Sequence, residues 1–264
     1  MTSEQAIEKR EQMLRDGYCV IDNVVPEDFL VELRSETERL IENHVELPEH
    51  VYQGQHIGVK QDDNPVIAKL LSWAPSYAAL KELGFGDFEN NNGSVIILTK
   101  EPKGPPLYWH QDWMKWDDPL SASPWPQTIF FNYYLTDTTV DNGCLMLIPG
   151  SHRKRMPLHD KLVPAHEQGA RFIEEDHPVM FSDDAGQVDV PAKAGSLVLA
   201  DARLLHAARR NKTDQRRTLV LAWHSRPVNT IPDYWDGDVP DVIANRDPNA
   251  EYNASRIPGK YLKS

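Results

Sequence analysis

Beyond residue 93 the chain breaks into short runs rich in β-branched and aromatic residues, and this pattern restricts the fold more than any other feature. The runs are 94–99, 107–112, 128–135, 144–148, 196–199 and 218–224. Turn residues separate them, as in Lys103-Gly104-Pro105-Pro106, Asp141-Asn142-Gly143 and Pro149-Gly150-Ser151. Before residue 93 the spacing predicts helices: 4–16, stopped by Gly17, and one opened by Pro26 and Glu27 with Phe29, Leu30, Leu33, Thr37 and Leu40 on one face. Between these two helices, Tyr18-Cys19-Val20-Ile21 reads as a short strand. Residues 44–63 show no period and read as a loop. A further helix starts at Asn64-Pro65 and runs, with an interruption at Pro75, to about Leu83 before Gly84 and Gly86. Helices followed by many short strands predict a mainly β fold with flanking helices, an α-decorated sandwich or jelly roll.

A length of 264 residues, 40% of them hydrophobic, suits one such domain with one sizeable core. The expected organisation is a single domain 1–264, mainly helical over 1–92, a β core over 93–226, and a Pro-rich arm or lid over 227–264. A net charge of -12 argues against nucleic acid as a partner, since that needs a basic face. The two cysteines, Cys19 and Cys144, are too few for a disulfide framework and suit a reducing compartment. The N-terminal stretch has no apolar core, and the longest apolar runs, such as 196–200 and 219–223, are too short to span a bilayer. The expectation is a cytoplasmic protein with a small-molecule partner and no membrane contact.

The chemistry-bearing stretch is Tyr108-Trp109-His110-Gln111-Asp112-Trp113. Residues two apart in a strand face one side, so His110 and Asp112 project together while Trp109 and Gln111 face away. An imidazole and a carboxylate are two of the three ligands of the facial triad for Fe(II). The pair is weak evidence alone, because chance supplies about one or two His-x-acid triplets in a chain of this composition. A second, His44-Val45-Glu46, lies near a helix end in a charged stretch and reads as solvated. Further along, His206 follows the buried-strand pattern 194–201, and Arg217 opens the apolar run 218–223. A guanidinium at the mouth of an apolar strand needs an anion, most naturally a carboxylate held by both its oxygens.

Taken together, these pieces resemble the phytanoyl-CoA dioxygenase family: His110-x-Asp112, Asn142-Gly143-Cys144-Leu145, Ile148-Pro149-Gly150-Ser151-His152, then His206 with Arg217 eleven residues later. The opening Asp16-Gly17-Tyr18-Cys19-Val20-Ile21-Asp22-Asn23 also fits, and the likeness covers about residues 10–226. The resemblance implies a double-stranded β-helix, Fe(II), 2-oxoglutarate and O2. It implies that His110, Asp112 and His206 bind iron and that Arg217 anchors 2-oxoglutarate. One position departs from the family, which often carries a hydroxyl residue two after the distal histidine; here that is Ala208. Tyr134 and Asn132, on one face of the 128–135 run, are candidates to replace it, or else that face packs against a helix.

Trp116, four residues after Asp112, matches a position that lines the substrate cavity in the related ectoine hydroxylases, and Tyr108 and Trp113 are further candidate substrate contacts. His152 reads as a turn-shaping residue, and His159, His166 and His177 as exposed members of a polar insertion. The basic groups Arg153, Lys154, Arg155, Arg209, Arg210 and Lys212 either draw an anionic substrate or are solvated loop charges. The resulting expectation is an Fe(II)- and 2-oxoglutarate-dependent dioxygenase that hydroxylates a small, amino-acid-like or specialised metabolite. Desaturation, cyclisation or epimerisation at the same centre stands as the alternative, whereas Asp112 speaks against halogenation. A cupin-like zinc or manganese hydrolase or isomerase would not need Arg217, and a non-catalytic barrel would not need the three candidate ligands together.

Overall fold

The computed structural model describes residues 1–45, 54–164 and 175–262. Two antiparallel sheets form the core. The larger has the order β1-β8-β5-β10-β3-β2, built from β1 (Tyr18–Ile21), β2 (His56–Lys60), β3 (Ser94–Lys100), β5 (Thr128–Tyr134), β8 (Leu197–Asp201) and β10 (Arg217–Ser225). The smaller has the order β4-β9-β6-β7, from β4 (Leu107–His110), β6 (Leu145–Leu147), β7 (Val188–Val190) and β9 (His206–Ala208). This is the expected jelly roll. β1 and β2 belong to the larger sheet, so the mainly helical N-terminal part is joined to the β-helix core by strand pairing.

Side-chain alternation splits the large sheet into two faces. Phe131, Tyr133, Val220, Ala222, Ile97 and Leu199 pack outward on α1 (Ser3–Asp16), α2 (Glu27–Glu42), α3 (Pro65–Leu71) and α4 (Ala74–Leu83). Phe130, Tyr134, Leu219, Leu221 and Val198 turn inward against Leu145, Leu147 and Val190 of the small sheet. Because both faces are covered, β5, β8 and β10 read as nearly continuous apolar runs.

The helices end where their sequence says they should. Thr2 and Gln5 form a reciprocal cap on α1, and Gly17 closes it in the left-handed conformation at φ 88°. A Cβ on Gly17 would lie 2.7 Å from both His152 Nδ1 and Leu204 Cδ1. Glycine there lets the helix end press on the segment leading to His206.

Residues 44–63 differ from the loop expectation: 56–60 form β2 and Gln61–Asp63 a 3-10 turn, while 46–53 lie outside the described residues. The alternation is only five residues long and holds Gly58, and Ile57 and Val59 alone are buried. The C-terminal arm, with its short helix α5 (Asp241–Ala244), is fixed across the barrel at three points. Arg246 pairs with buried Asp118 at 2.8 Å, Arg155 donates to Pro258 O at 2.9 Å, and Leu262 is buried.

Candidate active site

β4 and β9 pair with His110 opposite His206, so antiparallel register alone brings the two imidazoles together, with ring centroids 4.1 Å apart. The chain leaves the sheet after His110. Asp112 is then set by backbone bonds, its N–H and that of Trp113 both donating to Ala202 O at 2.9 and 2.8 Å. Ala202 lies in the connection that carries His206, and Leu205 N–H in that connection donates to Ser151 Oγ at 2.9 Å. The Pro-Gly-Ser-His turn thus shapes the approach to the distal histidine.

The candidate ligand atoms of His110, Asp112 and His206 all lie within 4.8 Å of one another. Asp112 Oδ1 is 3.8 Å from His110 Nε2 and 3.9 Å from His206 Nε2. Each ring nitrogen Nδ1 sits 2.9 Å from the carbonyl oxygen two residues earlier, of Tyr108 and of Leu204. A carbonyl only accepts, so both Nδ1 atoms carry a proton, and in the neutral ring the Nε2 lone pair of each histidine faces the cluster. Two neutral imidazoles and one carboxylate oxygen on one side make the donor set of a facial Fe(II) site, with the outer ring nitrogens held as metal-binding histidines require.

Beside this cluster lies a cavity of about 340 Å³. Phe130, Asn132 and Tyr134 line it from β5, and Arg217, Leu219, Leu221 and Trp223 from β10. At its far end Arg217 is paired across the sheet with Lys100, which sequence reasoning missed. Both cations are buried. Burial and then the neighbouring Arg217 hold the Lys100 ammonium well below the usual amine range. Burial also lowers Arg217, partly offset by Tyr134 and Cys144. Tyr134 itself is pushed up to about 12 by burial. Lys100 Nζ donates to Pro105 O at 2.7 Å, and Arg217 Nε and Asn132 Oδ1 are buried without a hydrogen-bond partner. Neither side chain has a carboxylate partner among the described residues, so this end of the cavity holds two buried basic groups without a matching anion. Gly143, at φ 90°, makes room for the Lys100 side chain: a Cβ there would lie 3.1 Å from Lys100 Cγ and 2.8 Å from Arg209 O. Ala208 also lines the cavity.

The three expected substrate contacts lie elsewhere. Tyr108 is buried against Met180 and the edge of His110. Trp113 and Trp116 are buried with Leu120, Ala202 and Leu262, outside the cavity lining. The correction has a plain cause. The C-terminal arm covers Trp116, its Ser255 carbonyl accepting from Trp116 N–H at 3.4 Å, and the charged neighbour Asp118 is itself buried on Arg246.

His159 is likewise buried, not exposed, beside Gln111, while His177 is half-buried and accepts from the N–H groups of Val179 and Met180. His166 and Glu46 fall outside the described residues. His152 is buried against Gly17 and takes no part in the ligand cluster. Of the basic groups, Arg155 pairs with Asp160, Arg209 with Asp183 and Asp189, and Arg210 with Glu175. Trp109 and Gln111 do face away from the cluster: Trp109 packs with Met146, Ile148 and Leu205, and Gln111 bonds to Arg203.

A jelly roll with this donor set at its mouth and two unmatched cations in its cavity defines an oxygenase that uses iron and 2-oxoglutarate. The chain belongs to the phytanoyl-CoA dioxygenase (PhyH) family, whose model matches residues 13–219. It is 24% identical to the ectoine dioxygenase of Nocardia farcinica, over 88% of this chain and 83% of that protein. It is 23% identical to the L-proline trans-4-hydroxylase of Streptomyces griseoviridis, over 82% and 85%. Among solved structures, the non-heme alpha ketoglutarate dependent carbocyclase SnoK from nogalamycin biosynthesis shares the fold. It aligns with a TM-score of 0.63 and 23% identity over 90% of this chain and 96% of that one. The chain is therefore a dioxygenase that uses iron, 2-oxoglutarate and O2. No helix among the described residues is long and apolar enough to cross a membrane.

Proposed function

We propose that this chain hydroxylates a small, amino-acid-like metabolite, with His110, Asp112 and His206 holding the iron and Arg217 with Lys100 holding the far carboxylate of 2-oxoglutarate. The observation that carries the reading is the pair of buried cations without a carboxylate partner, set in the same cavity as the three candidate ligands. A dicarboxylate reaching from the iron to that pair would satisfy both ends. The Arg217 fork would take the two oxygens, Lys100 would add a point charge, and the Tyr134 hydroxyl and Asn132 amide N–H would supply further hydrogen bonds in place of the hydroxyl that Ala208 lacks.

Bound iron and its co-substrate would supply oxygen activation and the oxidation of a C–H bond. This chain supplies position and dryness. Phe130, Leu219, Leu221, Ile96 and Leu98 make the remaining wall apolar, so a bound substrate displaces water from the reacting face. The cavity lies at the small end of the range for ligand pockets and must take 2-oxoglutarate as well, which favours a compact substrate. The relatives named for ectoine and L-proline favour the same class. Two free, buried cysteines and an acidic surface suit action in the cytoplasm.

The test is succinate formation from 2-oxoglutarate under air, with Fe(II), across a panel of cyclic and linear amino acids and their derivatives, with product masses. Substrate-stimulated succinate and a product heavier by one oxygen support hydroxylation. Succinate with loss of two hydrogens, or with unchanged mass, reassigns the outcome to desaturation, cyclisation or epimerisation. No stimulated succinate from any compound overturns the substrate class.

A further inference from the structure

Trp223 touches both the candidate ligand cluster and the cavity beside it. It is half-buried in β10, on the same face as Arg217, Leu219 and Leu221, and it lines the cavity. Its Nε1 donates to Asp112 Oδ2 at 2.9 Å, while the other oxygen, Oδ1, faces both histidine Nε2 atoms. Building on the iron reading above, we infer that Trp223 is a positioning residue that turns one oxygen of Asp112 away from the metal and so fixes single-oxygen attachment.

Indole N–H is a donor only, so the bond occupies Oδ2 and defines which oxygen is left for the metal. A carboxylate that bound through both oxygens would take a position needed by the co-substrate or by oxygen. The strand position of Trp223 is itself fixed. Trp223 is opposite Phe130 in the sheet, Phe130 lies 4.9 Å from the His206 ring, and Asn90 Nδ2 donates to Trp223 O at 3.1 Å. One strand therefore holds the co-substrate anchor at its start and the orienter of the carboxylate ligand six residues on.

The experiment is anaerobic titration of metal-free protein with Fe(II), and with Co(II) as a stable probe, alongside its melting temperature. Removing such outer contacts typically costs 10–100-fold in metal affinity, and Trp223→Phe is expected to fall in that range. The metal-free melting temperature should stay near wild type. Should Trp223→Phe fail to fold, benzothienylalanine at position 223 keeps the shape and replaces the N–H by sulfur. Wild-type affinity in either variant overturns the inference, and so does a loss of affinity matched by an equal fall in the metal-free melting temperature. Failure of wild type to bind Fe(II) at all would instead overturn the iron reading on which it rests.

Discussion

Gln111 Nε2 donates to Arg203 O at 2.6 Å, joining the residue between the first two candidate ligands to the connection that carries the third. Arg203 is locked in turn: its buried guanidinium pairs with Asp201 and donates to the carbonyls of Ser121, Ser123 and Trp125. Gln111→Leu should leave the Arg203 carbonyl buried and unpaired, at about 1–3 kcal/mol of stability. It should also lower iron affinity about tenfold or more, as loss of a support to the ligand shell does. Urea unfolding and metal titration of the same variant check both. A stability loss with unchanged affinity would show that the tie serves the fold alone.

The two cations at the closed end should separate in their effects. Arg217→Ala should raise the KM for 2-oxoglutarate roughly 30-fold or more, the lower end of what losing one partner of a buried charge pair costs. Arg217→Lys should recover part, because an ammonium cannot make the fork. Lys100→Met should also raise that KM, yet leave the ligand-free protein at least as stable as wild type. Its amine is buried beside another cation with only a carbonyl to bond. Steady-state kinetics and melting temperatures of the three variants test the assignment.

Trp116→Ala should cost about 3–5 kcal/mol, the range for a fully enclosed tryptophan, since none of its side chain is exposed. Coupling of succinate to product in the surviving protein should stay near wild type. A small stability loss with heavy uncoupling would return Trp116 to the substrate cavity.

Buried histidines set an acid limit on stability. Burial lowers His152, His159 and His224 to about 4 each. In the unfolded chain they take up protons near 6.5, as ordinary histidines do. The folded state thus binds fewer protons between these limits, and stability falls as pH drops from about 6.5 to about 4, by on the order of 3 kcal/mol per histidine. His224 stacks on Phe131 at 3.7 Å between ring centroids. His224→Phe should keep that stack and make the decline over this window shallower. A parallel, undiminished decline would remove His224 from the account.

What was legible in the chain depended on how local the cause was. His110, His206 and Arg217 stand in short strands and Asp112 two residues past one, so motif and spacing reached all four, although strand alternation does not extend to Asp112. β5, β8 and β10 were visible because burial on both faces leaves unbroken apolar runs. Lys100 was not, because a lysine ending a strand looks solvent-facing until its register with Arg217 places it in the cavity. Trp116 and His159 were misplaced for a similar reason. What encloses Trp116 is Leu262 and the arm, far away in sequence, and what encloses His159 includes Gln111. The strand 56–60 was hidden by its shortness and its position at the sheet edge.

The central claim is that His110, Asp112 and His206 form one iron site, and anaerobic Fe(II) titration of the metal-free protein tests it most directly. Wild type should bind one Fe(II) per chain, and His110→Ala, Asp112→Ala and His206→Ala, each still folded, should each lose that binding. Equal iron binding by wild type and His206→Ala would contradict the account.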